Sequence, residues 1–126
     1  MDSPKEEKKF SIIARFKSFG PAFRGVGIFF KTTHNAWVQS LFFLLEILLA
    51  IILRISSTEW ILVIISAGLL LVAEAFNTAI EIDIDLTSPE YHPFARDTKD
   101  IAAGAVLLMA TITFAVSLII FIPKIW

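Results

Sequence analysis

The stretch from Trp60 to Ile80 reads WILVIISAGLLLVAEAFNTAI, in which Glu74 and Asn77 are the only side chains more polar than a hydroxyl. A helix needs roughly 20 mainly apolar residues to cross the hydrocarbon of a bilayer, where its backbone must satisfy its own hydrogen bonds. This block meets that length. Two more flank it, from Ala36 to Leu53 and from Ile101 to Ile122. Helices buried in a soluble bundle would carry polar stripes throughout their length, and Ile112–Ile122 carries almost none. The reading is an all-α integral membrane protein with three transmembrane helices, one domain over residues 1–126.

The connection Arg54–Glu59 is short, so the first two blocks form an antiparallel hairpin. Within it Ser56-Ser57-Thr58-Glu59 has the pattern of a capping box, which starts the second helix at Ser56. Seven of the eleven basic residues (Lys5, Lys8, Lys9, Arg15, Lys17, Arg24, Lys31) precede the first block. That bias predicts a cytoplasmic N-terminus. The hairpin is then outside, residues 81–100 form a cytoplasmic loop, and Pro123–Trp126 is outside. Trp37, Trp60 and Trp126 fall near span ends, where amphipathic rings favour the interface. Met1–Lys9 has no compact apolar core after it, so no cleavable signal peptide is expected. The chain has no cysteine, which removes disulfides, thiolate metal sites and cysteine nucleophiles.

Residues 1–34 read differently. Ile12, Phe16, Phe19, Phe23, Val26 and Phe30 recur at helical spacing as one apolar stripe beside Lys8, Lys9, Arg15, Lys17 and Arg24. This predicts a basic amphipathic helix on the inner leaflet, broken or kinked at Gly20-Pro21. Membrane anchoring accounts for the pattern. Contact between nucleotide phosphates and its basic residues, Arg15 and Lys17 among them, is the additional functional reading.

At 100° per residue, Glu74, Asn77, Thr78, Glu81 and Asp85 point in directions of about 0°, 300°, 40°, 340° and 20°. Asp83 points the opposite way. An acid near the bilayer centre costs roughly 2.5–3.5 kcal/mol, so such a row must face protein or water. Asn77 and Thr78 alone would pass for inter-helix hydrogen bonding; the full row with two glutamates favours function. The third helix is expected to begin at Lys99-Asp100, and the small residues Ala102-Ala103-Gly104-Ala105 allow close approach to the second helix near Glu81. Carboxylates beside a lysine at a surface facing ATP could chelate Mg²⁺ and hold phosphates. A Lys99–Glu81 ion pair that neutralises charge is the plainer alternative. In the loop, Thr87-Ser88-Pro89-Glu90 predicts an N-cap followed by proline at the first helical position. His92 and His34 are the only histidines, and a polar surface role is expected for His92. There is no Gly-rich P-loop, kinase catalytic loop or nucleophile elbow.

Glu74-Ala75-Phe76-Asn77-Thr78-Ala79-Ile80-Glu81, Asp85, Pro89-Glu90-Tyr91-His92-Pro93 and Lys99-Asp100-Ile101-Ala102-Ala103-Gly104-Ala105-Val106 together resemble the prokaryotic diacylglycerol kinase family, which includes the undecaprenol kinases. The resemblance covers nearly the whole chain. It implies a small homotrimeric membrane enzyme, with active sites at subunit boundaries, that moves the ATP γ-phosphate to a lipid hydroxyl using Mg²⁺. Carried across by position, it implies Glu74 as the base and Glu81 as a Mg²⁺ ligand. Lys99 would contact the phosphates, and Asn77 and Asp100 would organise the site. Its partners would be ATP, diacylglycerol or undecaprenol, and the cytoplasmic membrane, with no nucleic acid.

There is one departure. The family commonly has a second metal-binding glutamate before the first span, and here Thr33 stands in that place within Thr32-Thr33-His34-Asn35. Glu46 is no obvious substitute, since 13 residues of helix put it roughly 20 Å away. The alternatives to a lipid kinase are a homologue without activity, supported by Thr33, and a proton path through Glu46, Glu74 and Glu81. Three spans without inverted repeats make a poor transporter unit.

Overall fold

The computed structural model describes residues 9–126; Lys5 and Lys8 of the basic segment lie outside them. Five helices follow one another: α1 (Ile12–Lys17), α2 (Phe19–Thr32), α3 (His34–Leu53), α4 (Ser57–Thr87) and α5 (Pro93–Ile125). The last three are long and apolar enough to cross a membrane. They are the expected spans, and α4 and α5 pack against each other most extensively.

α1 and α2 replace the single surface helix. The break falls at Ser18, which puts Pro21 in the first turn of α2. A proline there gives up a backbone donor that has no partner inside its own helix in any case. Phe16, Phe19, Phe23 and Val26 all stand exposed along this segment. It joins α3 through a bend at Thr33, across which the Trp37 indole donates to the Phe30 carbonyl at 2.6 Å.

The hairpin between α3 and α4 forms as its sequence dictates. The Ser56 hydroxyl accepts from the Glu59 amide at 3.2 Å, and the Glu59 carboxylate accepts from the Ser56 amide at 2.8 Å. Arg54 closes α3 in the left-handed region at φ 51°, and the Ile55 amide returns to the Ala50 carbonyl, the glycine-type helix ending formed here by a larger residue. Ala50, Ile55, Val63, Ile120 and Phe121 bury one another beside this turn. Lys124 of α5 pairs with Glu59 at 2.8 Å and clamps the same end.

The other end of the bundle differs from expectation. Residues 81–100, read as a loop, are helical except for Ser88–His92. The apolar pattern ends where the charges begin, but a charged side chain that reaches water does not interrupt the backbone hydrogen bonds of a helix, and packing of α4 on α5 continues past that point. α4 and α5, with 31 and 33 residues, therefore exceed the roughly 20 a bilayer needs and project from it together. Ser88 ends α4, and the cap that starts α5 is His92, whose Nδ1 accepts from the Phe94 amide at 3.1 Å ahead of Pro93. The cap-then-proline rule holds, but at the second of two prolines.

Two substitutions at the hairpin should move stability in opposite directions. Arg54→Gly relieves a left-handed non-glycine residue and should stabilise by about 1 kcal/mol. Ser56→Ala removes the cap and should cost about 1 kcal/mol. Unfolding midpoints in mixed micelles titrated with dodecyl sulfate check both.

Candidate active site

The polar row lies on one face of α4 and becomes steadily more exposed toward the charged end. Glu74 is 3% exposed and Asn77 9%, Thr78 is half-buried, and Glu81 and Asp85 are open. The first turns of α3 cause this gradient by covering Glu74. Gln39 donates to Glu74 Oε2 at 3.1 Å, and Asn35 reaches Oε1 at 3.5 Å. Asn77 Nδ2 donates to Glu81 Oε1 at 3.4 Å, while Asn77 Oδ1 and Gln39 Oε1 are buried without a partner among the described residues.

Lys99 does approach the row, but one turn beyond Glu81: it pairs with Asp85 at 2.7 Å. It lies ahead of the apolar span beginning at Ile101, and the Asp85 hydrogen bond raises its ammonium above the ordinary lysine range. Asp100 is exposed and pairs along its own helix with Arg96 at 3.7 Å. A pocket of about 370 Å³ opens here, with Asp85, Tyr91, His92, Arg96, Lys99 and Asp100 in its lining. His92 is thus both the cap of α5 and part of a pocket wall. Arg15 and Lys17 stand exposed on α1, and no side-chain hydrogen bond or ion pair among the described residues joins either to the site.

Thr33 is buried where α2 bends into α3. Its hydroxyl shares a 2.8 Å hydrogen bond with that of Thr78, which ties the start of α3 to the row. No cluster of three acids or histidines able to hold a metal forms among the described residues. One open carboxylate nevertheless stands at the exposed end of the row: Glu81, beside the Asn77 amide nitrogen. A single open carboxylate fits Mg²⁺, which takes few protein oxygens and completes its shell with water and phosphates.

Asn35 and Gln39 are the partners of Glu74 that the sequence reading missed. A signal for them existed, since Asn35, Gln39 and Glu46 share one helical stripe at about 0°, 40° and 20°. Glu46, left without a partner by sequence, accepts a hydrogen bond from Ser117 of α5. Between these levels runs a groove of about 580 Å³ along Asn35, Gln39, Phe42, Glu46, Phe114 and Ser117.

A buried carboxylate within the span, continuous along one helix face with a pocket of paired charges beyond the apolar stretch, defines the class: a small helical membrane protein with a polar site on one face. Residues 20–121 match the sequence profile described as prokaryotic diacylglycerol kinase. The undecaprenol kinase of Bacillus subtilis is 35% identical over 109 residues, 86% of this chain and 89% of that one. The diacylglycerol kinase of Escherichia coli K12 is 30% identical over 105 residues, 75% of this chain and 86% of its own. That of Helicobacter pylori 26695 is 28% identical over 106 residues, covering 79% and 83%. The chain belongs to the prokaryotic diacylglycerol kinase family.

Glu46 and Ser117 separate stability from chemistry. Ser117→Ala leaves a carboxyl in the bilayer without its donor and should destabilise by about 1–3 kcal/mol. Glu46→Leu removes the polar group altogether and should hold or raise stability. Thermal unfolding of both variants in the same detergent measures the contrast.

Proposed function

We propose that this chain is an ATP-dependent lipid kinase, transferring the γ-phosphate to the hydroxyl of diacylglycerol or undecaprenol, the alcohols in its relatives' names. The observation that carries the reading is Glu74: an acid 3% exposed, inside the span, held by Asn35 and Gln39 where these line the groove, and on the same helix face as the charged pocket. A lipid alcohol reaches such a group from the bilayer without leaving it.

The lipid hydroxyl gives its proton to the Glu74 carboxylate while its oxygen bonds to the γ-phosphorus. The bond between that phosphorus and the β,γ-bridging oxygen breaks, and ADP leaves. Lys99 and Arg96 hold phosphate charge in the pocket, and His92 and Tyr91 offer rings to the nucleoside. Phosphoryl transfer is mainly positioning and charge neutralisation, so a base and cations suffice without a P-loop. Glu81, oriented by the Asn77 amide nitrogen, would hold Mg²⁺, which would supply charge neutralisation on the phosphate oxygens. With Thr33 in place of a glutamate, water and ATP supply the remaining ligands. Asp100 keeps Arg96 oriented through their ion pair.

The enzyme works as a homotrimer in the cytoplasmic membrane with its N-terminus inside. Two features support this: the Lys/Arg bias of the first 31 residues, and the apolar faces of α3, α4 and α5 left exposed in one copy. Arg15 and Lys17 then serve a phosphate site from the membrane surface, with the trimer completing what one copy leaves apart.

Purified protein in mixed micelles should label diacylglycerol or undecaprenol from γ-labelled ATP, and the ratio of rates assigns the substrate. Glu74→Gln should abolish transfer; an active variant sinks the assigned base. Glu81→Gln should raise the Mg²⁺ concentration for half-maximal activity, and Thr33→Glu should lower it. An Mg²⁺ dependence unmoved by either change would place the metal elsewhere.

A further inference from the structure

Glutamine is two-ended: its amide nitrogen donates and its carbonyl oxygen accepts. A glutamine that only ties two helices together is most stable with both ends engaged, because a buried polar atom without a partner is costly. Gln39 engages one. Its Nε2 donates to Glu74 Oε2 at 3.1 Å, and its Oε1 is buried with no partner among the described residues. The carboxylate dictates this orientation. An ionised glutamate has only acceptors, so the amide must turn its nitrogen toward Glu74 and its oxygen away. The contact with Glu74 is thus made at the expense of the glutamine's own satisfaction.

We infer that Gln39 is a positioning residue for Glu74, an inference that rests on Glu74 being the base. The last torsion of a glutamate side chain is broad and weakly restrained. A free carboxylate would sweep through many directions, whereas proton removal in step with attack on phosphorus needs one. Gln39 takes a lone pair of Oε2, and Asn35, one helical turn earlier on α3, approaches Oε1 at 3.5 Å. Both donors come from a helix other than the one that carries Glu74. Together they fix the rotation of the carboxylate and leave its other lone pairs for the hydroxyl arriving along the groove. Because Gln39 lines that groove yet spends its donor on Glu74, its loss reaches the reaction through the base rather than through binding.

The test compares two substitutions with the lipid and ATP each varied to saturation. Gln39→Leu keeps the volume and removes both amide ends; kcat should fall about 10- to 100-fold, as for loss of a hydrogen bond to a charged group. Both KM values should stay within about twofold, and the unfolding midpoint in micelles should not fall. Gln39→His carries an N–H at nearly the same reach from Cβ, and should recover most of the lost kcat. Wild-type kcat in Gln39→Leu, an equal loss in both variants, or a loss appearing in KM or in the unfolding midpoint would each overturn the positioning role. Glu74→Gln, measured alongside, separates the two levels: an active variant overturns the base and this inference together. An inactive Glu74→Gln beside a fully active Gln39→Leu overturns the inference alone.

Discussion

Hydrocarbon offers no hydrogen bonds, and every polar group placed in it must find its partner within the protein. The backbone obeys by being helical throughout the three spans. The side chains obey less simply, because Glu46 and Glu74 sit where solvent cannot serve them. Each is met by a neighbouring helix: Ser117 of α5 donates to Glu46, and Asn35 and Gln39 of α3 donate to Glu74. These contacts set how α3 is turned against the other two spans. The apolar packing that accompanies them is generic Leu, Ile, Val and Phe, which specifies rotation poorly on its own.

The same constraint grades the chemistry along α4. Where α3 covers the helix, an acid is enclosed and held by amide donors. Two turns further on the helix has left α3 behind, and Glu81 and Asp85 stand open to water instead. One helix thereby links an enclosed acid with a water-facing charge cluster, without a loop having to enter the membrane. The extension of α4 and α5 past the bilayer is what makes the cluster possible. Their paired ends carry Asp85, Arg96, Lys99 and Asp100 into one pocket, and the short turn at Ser88–His92 brings His92 in with them.

Much of this was legible beforehand. The three spans, the capping box at Ser56 and the single-faced row from Glu74 to Asp85 follow from hydropathy and from 100° per residue. Those are local properties, and the membrane makes them decisive because it removes the alternatives. The expected loop over residues 81–100 failed for a specific reason: hydropathy reports where a helix leaves hydrocarbon, not where it ends. The cap of α5 was misplaced because Ser88-Pro89 and His92-Pro93 both satisfy the same local rule, and the packing of α5 on α4 selects between them. The pairing of Lys99 with Asp85 instead of Glu81 is a matter of one turn, set by how far the two helices run side by side.

The sequence by itself determined the membrane class, the number of spans, the face of α4 that carries the polar row and the family to which the chain belongs, since each depends on residue type and helical period alone. Tertiary structure decided what those residues touch. Thr33 meets Thr78, Glu46 meets Ser117, and Gln39 gives its amide to Glu74 while its carbonyl goes unpaired. These contacts depend on the rotation and depth of one helix against another, and a period of 3.6 residues records the face of a helix without recording which neighbour that face will meet.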